Sequence, residues 1–272
     1  MTTIVEPAPA KINLALHVRR RRADGYHDIE TLFALLRDGD SVTVAPAAAD
    51  GFTITGPFAG DLAGQGGNLV LAARDVFAAR IAPLPPLAIG LDKHLPVASG
   101  IGGGSADAAA TLRALARLSG VAPDAPELIA LAADLGSDVP ACLIGRSAYG
   151  SGRGEVLRPA SDLAGTPVLL VNPRVGVSTA AVFACWDGRD RGALDDVASG
   201  RNDLEAPART LAPVIGEVVE RLEAQPGVTL ARMSGSGATC FALFADAATC
   251  NAAHAAIARD RPDWWYLAST LT

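Results

Sequence analysis

The sequence predicts an α+β protein with two domains. Segments in which apolar and polar residues alternate indicate strands, and segments with a helical period occur in both halves of the 272-residue chain. Near the middle, a run rich in glycine connects one strand to one helix. We place the domain boundary after residue 158, just beyond a glycine-rich stretch at 148–155, so that residues 1–158 form the N-terminal domain and 159–272 the C-terminal domain.

The composition is that of a globular protein, with 50% hydrophobic and 19% charged residues. A formal net charge of -6 argues against a general nucleic-acid binder, because such proteins neutralise phosphates with a basic face. We therefore expect small-molecule partners. The one basic run, Arg19 to Arg22, is typical of a solvated hairpin tip.

The cysteines and the hydrophobic pattern predict a cytoplasmic location without membrane contact. Four cysteines lie far apart with no metal-type pairing, and the N-terminus has no charged-then-apolar signal segment. No uninterrupted apolar run reaches the length of a membrane span. We expect reduced thiols.

The first predicted strand carries an unusual polar face. Residues 10–18 alternate in polarity, which indicates a half-buried strand whose polar positions are Lys11, Asn13 and His17. Arginine outnumbers lysine by twenty-one to two, so Lys11 is expected where a compact point charge is needed. The alternative is an ordinary strand lysine in water.

A hairpin and further short strands follow. Asp24 and Gly25 predict a turn, after which 29–36 is a second strand that can pair with the first. Tyr26 offers a ring for stacking and His27 offers directional hydrogen bonds, although each residue taken alone is more often structural. Short strands are predicted at 41–45 and 52–55, and Asn68 is expected to cap a helix at 69–82.

The glycine-rich run is the main functional motif. It lies between a strand at 85–91 and a helix at 108–118, and it contains Gly100, Gly102, Gly103 and Gly104. Without Cβ atoms the backbone can approach an anion, and free N–H groups at a helix start attract phosphate. Ser105 is predicted to cap the helix. The run therefore favours a phosphate site over a flexible linker.

Other phosphate-binding motifs do not fit this run. A P-loop needs Gly-Lys-Ser or Gly-Lys-Thr, and the chain has lysine only at positions 11 and 93. The dinucleotide fingerprint requires glycine where the chain has Ser105, and the strand lysine and loop motifs of protein kinases do not occur.

The sequence around Asp138 allows two interpretations of its role. It follows a predicted helix at 126–135 and precedes Pro140, a pattern typical of an N-cap with proline in the first turn. The alternative is a carboxylate presented as a base at a helix terminus.

Alternating segments continue in the second half. After a turn at 148–155 we expect strands at 168–172, 229–233 and 240–244. Helices are expected from 201–205, at 214–224 and at 247–258. Residues 234–239 form a second loop of small residues.

Five stretches, taken in order, resemble the GHMP kinases, the superfamily of galactokinase, homoserine kinase and mevalonate kinase. They are 9–14, 25–27, 96–110, 135–140 and 233–239. The resemblance implies an N-terminal domain with a ribosomal-protein-like βαβ topology and a ferredoxin-like C-terminal domain. It implies ATP and Mg²⁺ as cofactors. The likeness is greatest to the branch that phosphorylates the 2-hydroxyl of a cytidine diphosphate derivative of methylerythritol in isoprenoid synthesis.

The resemblance also implies roles for particular residues. Lys11 and Asp138 would be catalytic, Asp138 as the base. Asn13 and His27 would line the substrate pocket, and Tyr26 and Phe183 would stack on cytosine. The ATP phosphates would be held by Pro96, Val97, Ala98, Ser99, Gly100, Ile101, Gly102, Gly103, Gly104, Ser105 and Ala106.

The chain departs from the family pattern at two places. It has Ala98-Ser99 where relatives carry a glycine pair, and Ala106 where a second serine is usual. Ser105 is then the one hydroxyl there for a metal. Two alternatives stay open: a GHMP kinase for another alcohol, of the homoserine or mevalonate type, and a non-catalytic nucleotide sensor.

Overall fold

The computed structural model describes residues 3–62, 66–160, 163–196 and 200–272. It confirms the α+β class with ten strands and eight α-helices in these ranges. The strands are β1 (Ile4–Arg21), β2 (His27–Pro46), β3 (Gly51–Thr55), β4 (Leu87–Asp92), β5 (Ala148–Gly152), β6 (Val156–Pro159), β7 (Pro167–Asn172), β8 (Val228–Met233), β9 (Cys240–Phe244) and β10 (Trp265–Thr270).

The helices alternate with these strands. They are α1 (Leu69–Arg80), α2 (Gly103–Ser119), α3 (Pro126–Leu135), α4 (Val139–Ile144), α5 (Thr179–Ala184), α6 (Glu205–Leu211), α7 (Val214–Glu223) and α8 (Ala247–Asp260). Asn68 caps α1 as predicted, since its side chain accepts a hydrogen bond from the Val70 N–H. No described helix is both long enough and apolar enough to cross a membrane.

The chain forms two compact units, and neither is a single stretch of sequence. The first contains Met1–Lys11, Asp38–Val97 and Gly102–Gly145. The second contains Ile12–Arg37, Ala98–Ile101 and Arg146–Thr272. The boundary predicted after residue 158 stays a prediction.

In the first unit, strands and helices enclose one apolar core. The end of β2 pairs with β4 in antiparallel register from Ser41–Asp92 to Pro46–Leu87, and β3 pairs with β4 in parallel. The core consists of alternating strand residues packed against alanine and leucine side chains of α2 together with parts of α1, α3 and α4. This arrangement fixes the start of α2 beside buried strand residues.

The second unit has a four-stranded antiparallel sheet in the order β10-β7-β9-β8. Its core combines this sheet with apolar residues of α6, α7 and α8. In the same unit, the beginning of β2 pairs with β5, and β5 pairs with β6.

Several predicted elements are corrected. The strands expected at 29–36 and 41–45 are one continuous strand, β2. Most of the turn expected at 148–155 is instead β5, and only residues 153–155 form a turn before β6. The strand at 10–18 is not half-buried, because every residue in it is buried. Strand β10 was not predicted from the sequence.

Candidate active site

Lys11 and Asp138, predicted to be catalytic, contact each other in the first unit. The Lys11 Nζ lies 2.6 Å from the Asp138 Oδ2, and the side chains are 3% and 32% exposed. Burial strengthens the attraction between opposite charges because little water screens them. A solvated strand lysine is therefore excluded, and the pair joins a buried ammonium to an accessible carboxylate.

Asp138 occupies the N-cap position of α4, but its side chain takes no part in capping that helix. Its side chain makes no capping hydrogen bond. Pro140 stands in the first turn of α4, where its missing N–H costs nothing. The predicted N-cap position and first-turn proline are thus confirmed, while the carboxylate itself contacts Lys11 and not the helix N–H groups.

The thiol of Cys142 lies one helical turn beyond Asp138 in α4. Complete burial raises the pKa of Cys142 to about 12, because the thiolate is disfavoured away from water, and the Lys11 charge opposes that rise. Cys142 therefore stays a neutral thiol at neutral pH. The charge at this site comes from the ammonium and the carboxylate.

Helix α2 begins at the glycine run, earlier than predicted. Its N-cap is Gly102, with φ of 67°, and no side chain caps it. Ser105 is in the first turn and is not the N-cap, which corrects the prediction. A Cβ at Gly102 would lie 2.8 Å from the Lys11 Cε, closer than such atoms approach. Glycine is required here both for the left-handed backbone and for the close packing of Lys11.

The sequence analysis missed a buried charge cluster beneath this helix start. Lys93 Nζ contacts Asp40 at 2.5 Å and Asp107 at 2.7 Å, and all three side chains are at most 4% exposed. Asp40 Oδ1 also accepts hydrogen bonds from the backbone N–H groups of His94 and Leu95. A Cβ at Gly103 would lie 3.1 Å from the Lys93 Nζ, so the cluster packs directly against α2.

Asp107 is the least satisfied member of this charge cluster. Its Oδ1 is buried and has no hydrogen-bond partner among the described residues. Desolvation raises the pKa of Asp107 to about 7, against the opposing charge of Lys93. The two lysines of the chain are thus both buried in ion pairs, a pattern that the scarcity of lysine already signalled for Lys11.

In the second unit, the loop of small residues packs on the turn at Ala98–Ile101. The Ser234 hydroxyl donates to the Gly100 carbonyl at 3.0 Å, and the Thr239 N–H donates to the Ser99 carbonyl at 3.2 Å. A Cβ at Gly100 would lie 2.6 Å from the Gly237 carbonyl oxygen. Two of the five stretches that carry the resemblance therefore contact each other through their backbones.

Asn13 belongs to the same cluster of polar contacts. Its backbone N–H donates to the Ser234 hydroxyl, and its side-chain amide donates to Thr31 at 2.7 Å. Asn202, which the sequence analysis did not assign, donates from its amide to the carbonyls of Met233 and Gly235 at 2.8 Å each. These bonds fix the shape of the loop at 234–239.

His27 and Phe183 also contact each other in the second unit. Their rings stack with centroids 4.8 Å apart, and Trp186 meets His27 edge-on at 5.7 Å. Burial lowers the pKa of His27 below 6.5, and the nearby Arg21 charge lowers it further. His27 is therefore a neutral imidazole at neutral pH, with one donor and one acceptor nitrogen.

Tyr26 stands next to His27 with one ring face covered. The Arg153 guanidinium lies 5.2 Å from the ring centroid, a cation–π contact. Glu155 accepts from the backbone N–H of Arg153 at 2.6 Å and lies 3.5 Å from the Arg153 Nε, which positions the guanidinium. Tyr26 as a whole residue is 56% exposed, so an aromatic surface remains available.

His17, on the polar face of β1, has a structural set of partners. Its Nδ1 lies 3.1 Å from the Gly192 carbonyl, and its Nε2 accepts from the Arg201 N–H. The backbone N–H of Val18 donates to Asp203. His17 therefore ties the segment after α5 to β1.

Ser105 fits the requirements for Mg²⁺ bound mainly by phosphate oxygens. Its half-buried hydroxyl stands in the first turn of α2, where the glycines leave the backbone open. Within the described ranges, no group of three or more His, Cys, Asp and Glu side chains could hold a metal ion. A single hydroxyl beside bound phosphates is compatible with Mg²⁺, which takes few protein ligands when it binds phosphates.

Two family models match the chain. The GHMP kinases N terminal domain matches residues 68–146, and the GHMP kinases C terminal domain matches residues 189–261.

Curated relatives match nearly the whole chain. A 4-diphosphocytidyl-2-C-methyl-D-erythritol kinase from Rhizorhabdus wittichii is 58% identical, over 98% of this chain and 94% of the relative. A kinase of the same name from Sphingopyxis alaskensis is 49% identical, over 99% of both chains.

Solved structures agree with these relatives. A crystal structure of 4-(cytidine 5'-diphospho)-2C-methyl-D-erythritol kinase superposes with a TM-score of 0.82 at 35% identity, over 98% of this chain and 99% of the other. A homoserine kinase from Cytophaga hutchinsonii superposes at 0.75 with 19% identity, over 100% of this chain and 95% of the other, and so shows the shared fold alone.

Proposed function

This chain belongs to the 4-diphosphocytidyl-2-C-methyl-D-erythritol kinases of the GHMP superfamily, and we propose that it phosphorylates the 2-hydroxyl of 4-diphosphocytidyl-2-C-methyl-D-erythritol with ATP. The reaction belongs to the non-mevalonate isoprenoid pathway. The observation that carries the proposal is the Lys11–Asp138 ion pair, packed against the glycine at the start of α2.

Asp138 acts as the base in this proposal. An alkyl hydroxyl is a weak nucleophile at neutral pH, so a carboxylate must accept its proton as the oxygen attacks the γ-phosphorus. The new O–P bond forms while the bond between the γ-phosphorus and the β,γ-bridging oxygen breaks, and ADP leaves. An ionised carboxylate has room for more than one hydrogen bond, so Asp138 can hold both Lys11 and the substrate hydroxyl.

Lys11 supplies positive charge beside the transferred group. Phosphoryl transfer asks mainly for positioning and electrostatic stabilisation from the protein. The ammonium is held in place by burial and by Asp138, so it needs no rearrangement during the reaction. A compact cation of this kind serves better here than the planar guanidinium of arginine.

The phosphates of ATP are assigned to the backbone of residues 96–106, with Ser105 as the protein ligand of Mg²⁺. N–H groups at the start of α2 and the positive end of its dipole favour an anion there. Mg²⁺ held there by Ser105 would neutralise part of the phosphate charge.

The cytidine part of the substrate is assigned to the second unit. Tyr26 and Phe183 provide aromatic surface for the base, and the neutral imidazole of His27 provides one donor and one acceptor. Asn13 lines the substrate pocket. We also propose that the chain acts in the cytoplasm and binds no nucleic acid, in keeping with its four free thiols and acidic charge.

A coupled ADP-release assay tests the proposal. The purified chain is incubated with MgATP and one acceptor alcohol in each reaction. The three acceptors are 4-diphosphocytidyl-2-C-methyl-D-erythritol, homoserine and mevalonate. We expect turnover with the cytidine-bearing alcohol alone, above the rate without acceptor. Turnover with another alcohol would assign a different GHMP kinase activity, and ATP binding without turnover would indicate a nucleotide sensor.

A further inference from the structure

Trp186 is an aromatic residue beside His27 that the proposed function leaves without a role. It follows α5 and meets the His27 ring edge-on, with an interplanar angle of 87°. Phe183, three residues earlier, stacks on the same imidazole at 28°. One short segment thus places two rings on His27 in two nearly perpendicular orientations.

The two contacts restrict different motions of the imidazole. Phe183, stacked on the imidazole, limits the movement of that ring toward Phe183. Trp186, nearly perpendicular to the imidazole, limits its movement in a second direction. Because hydrogen bonds weaken steeply away from their preferred angle, both limits are needed if the His27 nitrogens are to meet a base in one orientation.

The segment that carries Trp186 is itself anchored in the second unit. Ser178 caps α5 by accepting from the Ala181 N–H, and the Thr179 hydroxyl lies 2.8 Å from the Ser236 hydroxyl. The backbone N–H of Trp186 donates to the Phe183 carbonyl at 3.2 Å. Trp186 is therefore held on a fixed support beside His27.

Trp186 packs against the apolar core of the second unit, but that packing does not explain why this position carries an indole. Its Nε1 is buried and has no hydrogen-bond partner among the residues that the structure describes. A buried donor without a partner is costly, and phenylalanine would fill aromatic space without that cost. The indole is larger than a phenyl ring, so phenylalanine would reproduce only part of the perpendicular contact with His27.

We infer that Trp186 is a positioning residue for base recognition, whose ring, nearly perpendicular to the His27 imidazole, holds that imidazole in the orientation that binds a cytidine diphosphate group. The inference rests on the proposed function for the identity of the base. It assigns affinity for the base to Trp186 and leaves phosphoryl transfer to Lys11 and Asp138.

Binding of cytidine 5'-diphosphate, measured by titration calorimetry, tests this inference without turnover. Trp186→Leu keeps an apolar side chain but removes the aromatic edge, and we expect it to raise Kd about fivefold, as for the loss of one aromatic pair. Trp186→Phe, the conservative variant, should recover at least half of that loss in free energy. Trp265→Ala, whose ring does not contact His27, is the matched control and should bind as the wild type does.

A double-mutant cycle with His27→Ala separates positioning from general packing. If Trp186 acts through His27, Trp186→Leu should have little further effect on Kd in the His27→Ala background. Additive losses, or a Kd for Trp186→Leu within twofold of the wild type, would overturn the inference, as would a wild-type chain that does not bind the probe. A chain that binds the probe with these couplings but fails the ADP-release assay would refute the proposed function alone.

Discussion

At the scale of single residues, both lysines of the chain are buried against carboxylates. Lys11 faces Asp138, and Lys93 faces Asp40 and Asp107. Arginine serves the surface pairs, such as Arg80 with Asp134. A small ammonium fits a tightly packed site where the larger guanidinium would not, so the rarity of lysine indicated positions where shape and charge both matter.

Tyr26→Ala should weaken binding of the cytidine-bearing substrate. The exposed face of the Tyr26 ring is the proposed stacking surface, and stacking of a base on an aromatic ring is worth about 1–3 kcal/mol. We expect the KM for that substrate to rise about tenfold while the KM for ATP stays constant. Tyr149→Ala, which removes a tyrosine with a similar arginine contact from Arg158, is the control. An unchanged KM in Tyr26→Ala would remove Tyr26 from base recognition.

Substrate affinity should fall in acid because of His27. The pKa of His27 lies below 6.5, chiefly because the ring is buried. The imidazole therefore stays neutral at pH 6.5 and above and becomes protonated only at lower pH. The imidazolium has no acceptor nitrogen. We expect a constant substrate Kd from about pH 8 to 6.5 and a rising Kd at lower pH.

His27→Gln provides the control for this pH dependence. The pKa of His17 is lowered too, first by burial and then by Arg201, so an acid effect could also arise there. The glutamine variant keeps a donor and an acceptor that do not titrate. Its Kd should be flat over the same range, and an equal acid loss in this variant would assign the effect to another group.

Acid should also reduce stability through the same histidine. His27 titrates near 6.5 in the unfolded chain and lower in the folded one. Between those two values the unfolded chain binds more protons, so stability falls as the pH drops through this window.

At the scale of elements, the start of α2 is the feature that the sequence patterns located least well. Glycine is a poor helix former, so the helix was predicted to start at 108, whereas it starts at Gly103. The first turn of a helix has no intrahelical partner for its N–H groups, and propensity matters less there than the space an anion needs. The glycines that predicted a phosphate site are the same residues that made the start of the helix difficult to predict.

Gly102→Ala should lower kcat. A Cβ at this position would force Lys11 to move, and a displaced Lys11 no longer holds Asp138 in place. We expect a loss on the order of tenfold or more, since small misplacements of catalytic groups are costly. Steady-state kinetics under saturating substrates measures it.

Gly120→Ala is the matched control for the backbone. Gly120 ends the same helix with φ of 69°, against 67° at Gly102, and nothing lies within 4 Å of a Cβ placed there. Gly120→Ala should lower the free energy of unfolding about as much as Gly102→Ala does, but its kcat should equal that of the wild type. Equal losses of kcat in both variants would contradict the contact with Lys11.

Strand β2 was predicted as two strands because a polar stretch interrupts its apolar pattern. Residues 37–40 lie between the two strands predicted at 29–36 and 41–45, yet β2 continues through them. A Cβ at Gly39 would collide with the backbone at Ala8 and Pro9, which is why glycine occurs within this strand. Asp40 is buried because Lys93 neutralises it. Charge pairing between distant residues determines this element, and local periodicity does not report it.

At the scale of the whole molecule, the order of the motifs identified the family while the contacts between them required the structure. The class, the family and the kinase activity followed from five stretches in sequence. The hydrogen bond from Ser234 to Gly100 joins residues that are far apart along the chain. The buried cluster around Lys93 includes residues that belong to no recognised motif. Trp186 and Asn202 likewise carry no local signal, because their roles depend on neighbours brought in by folding.

The central claim is that Asp138 takes the proton of the acceptor hydroxyl beside Lys11, and kinetics of Asp138→Asn test it most directly. Asparagine keeps the size of the side chain but loses its basicity, so kcat should fall by a factor on the order of 10² or more while the Kd for ATP stays near that of the wild type. Asp134→Asn, which removes an exposed carboxylate paired with Arg80, should keep full activity. Wild-type turnover by Asp138→Asn would contradict the account.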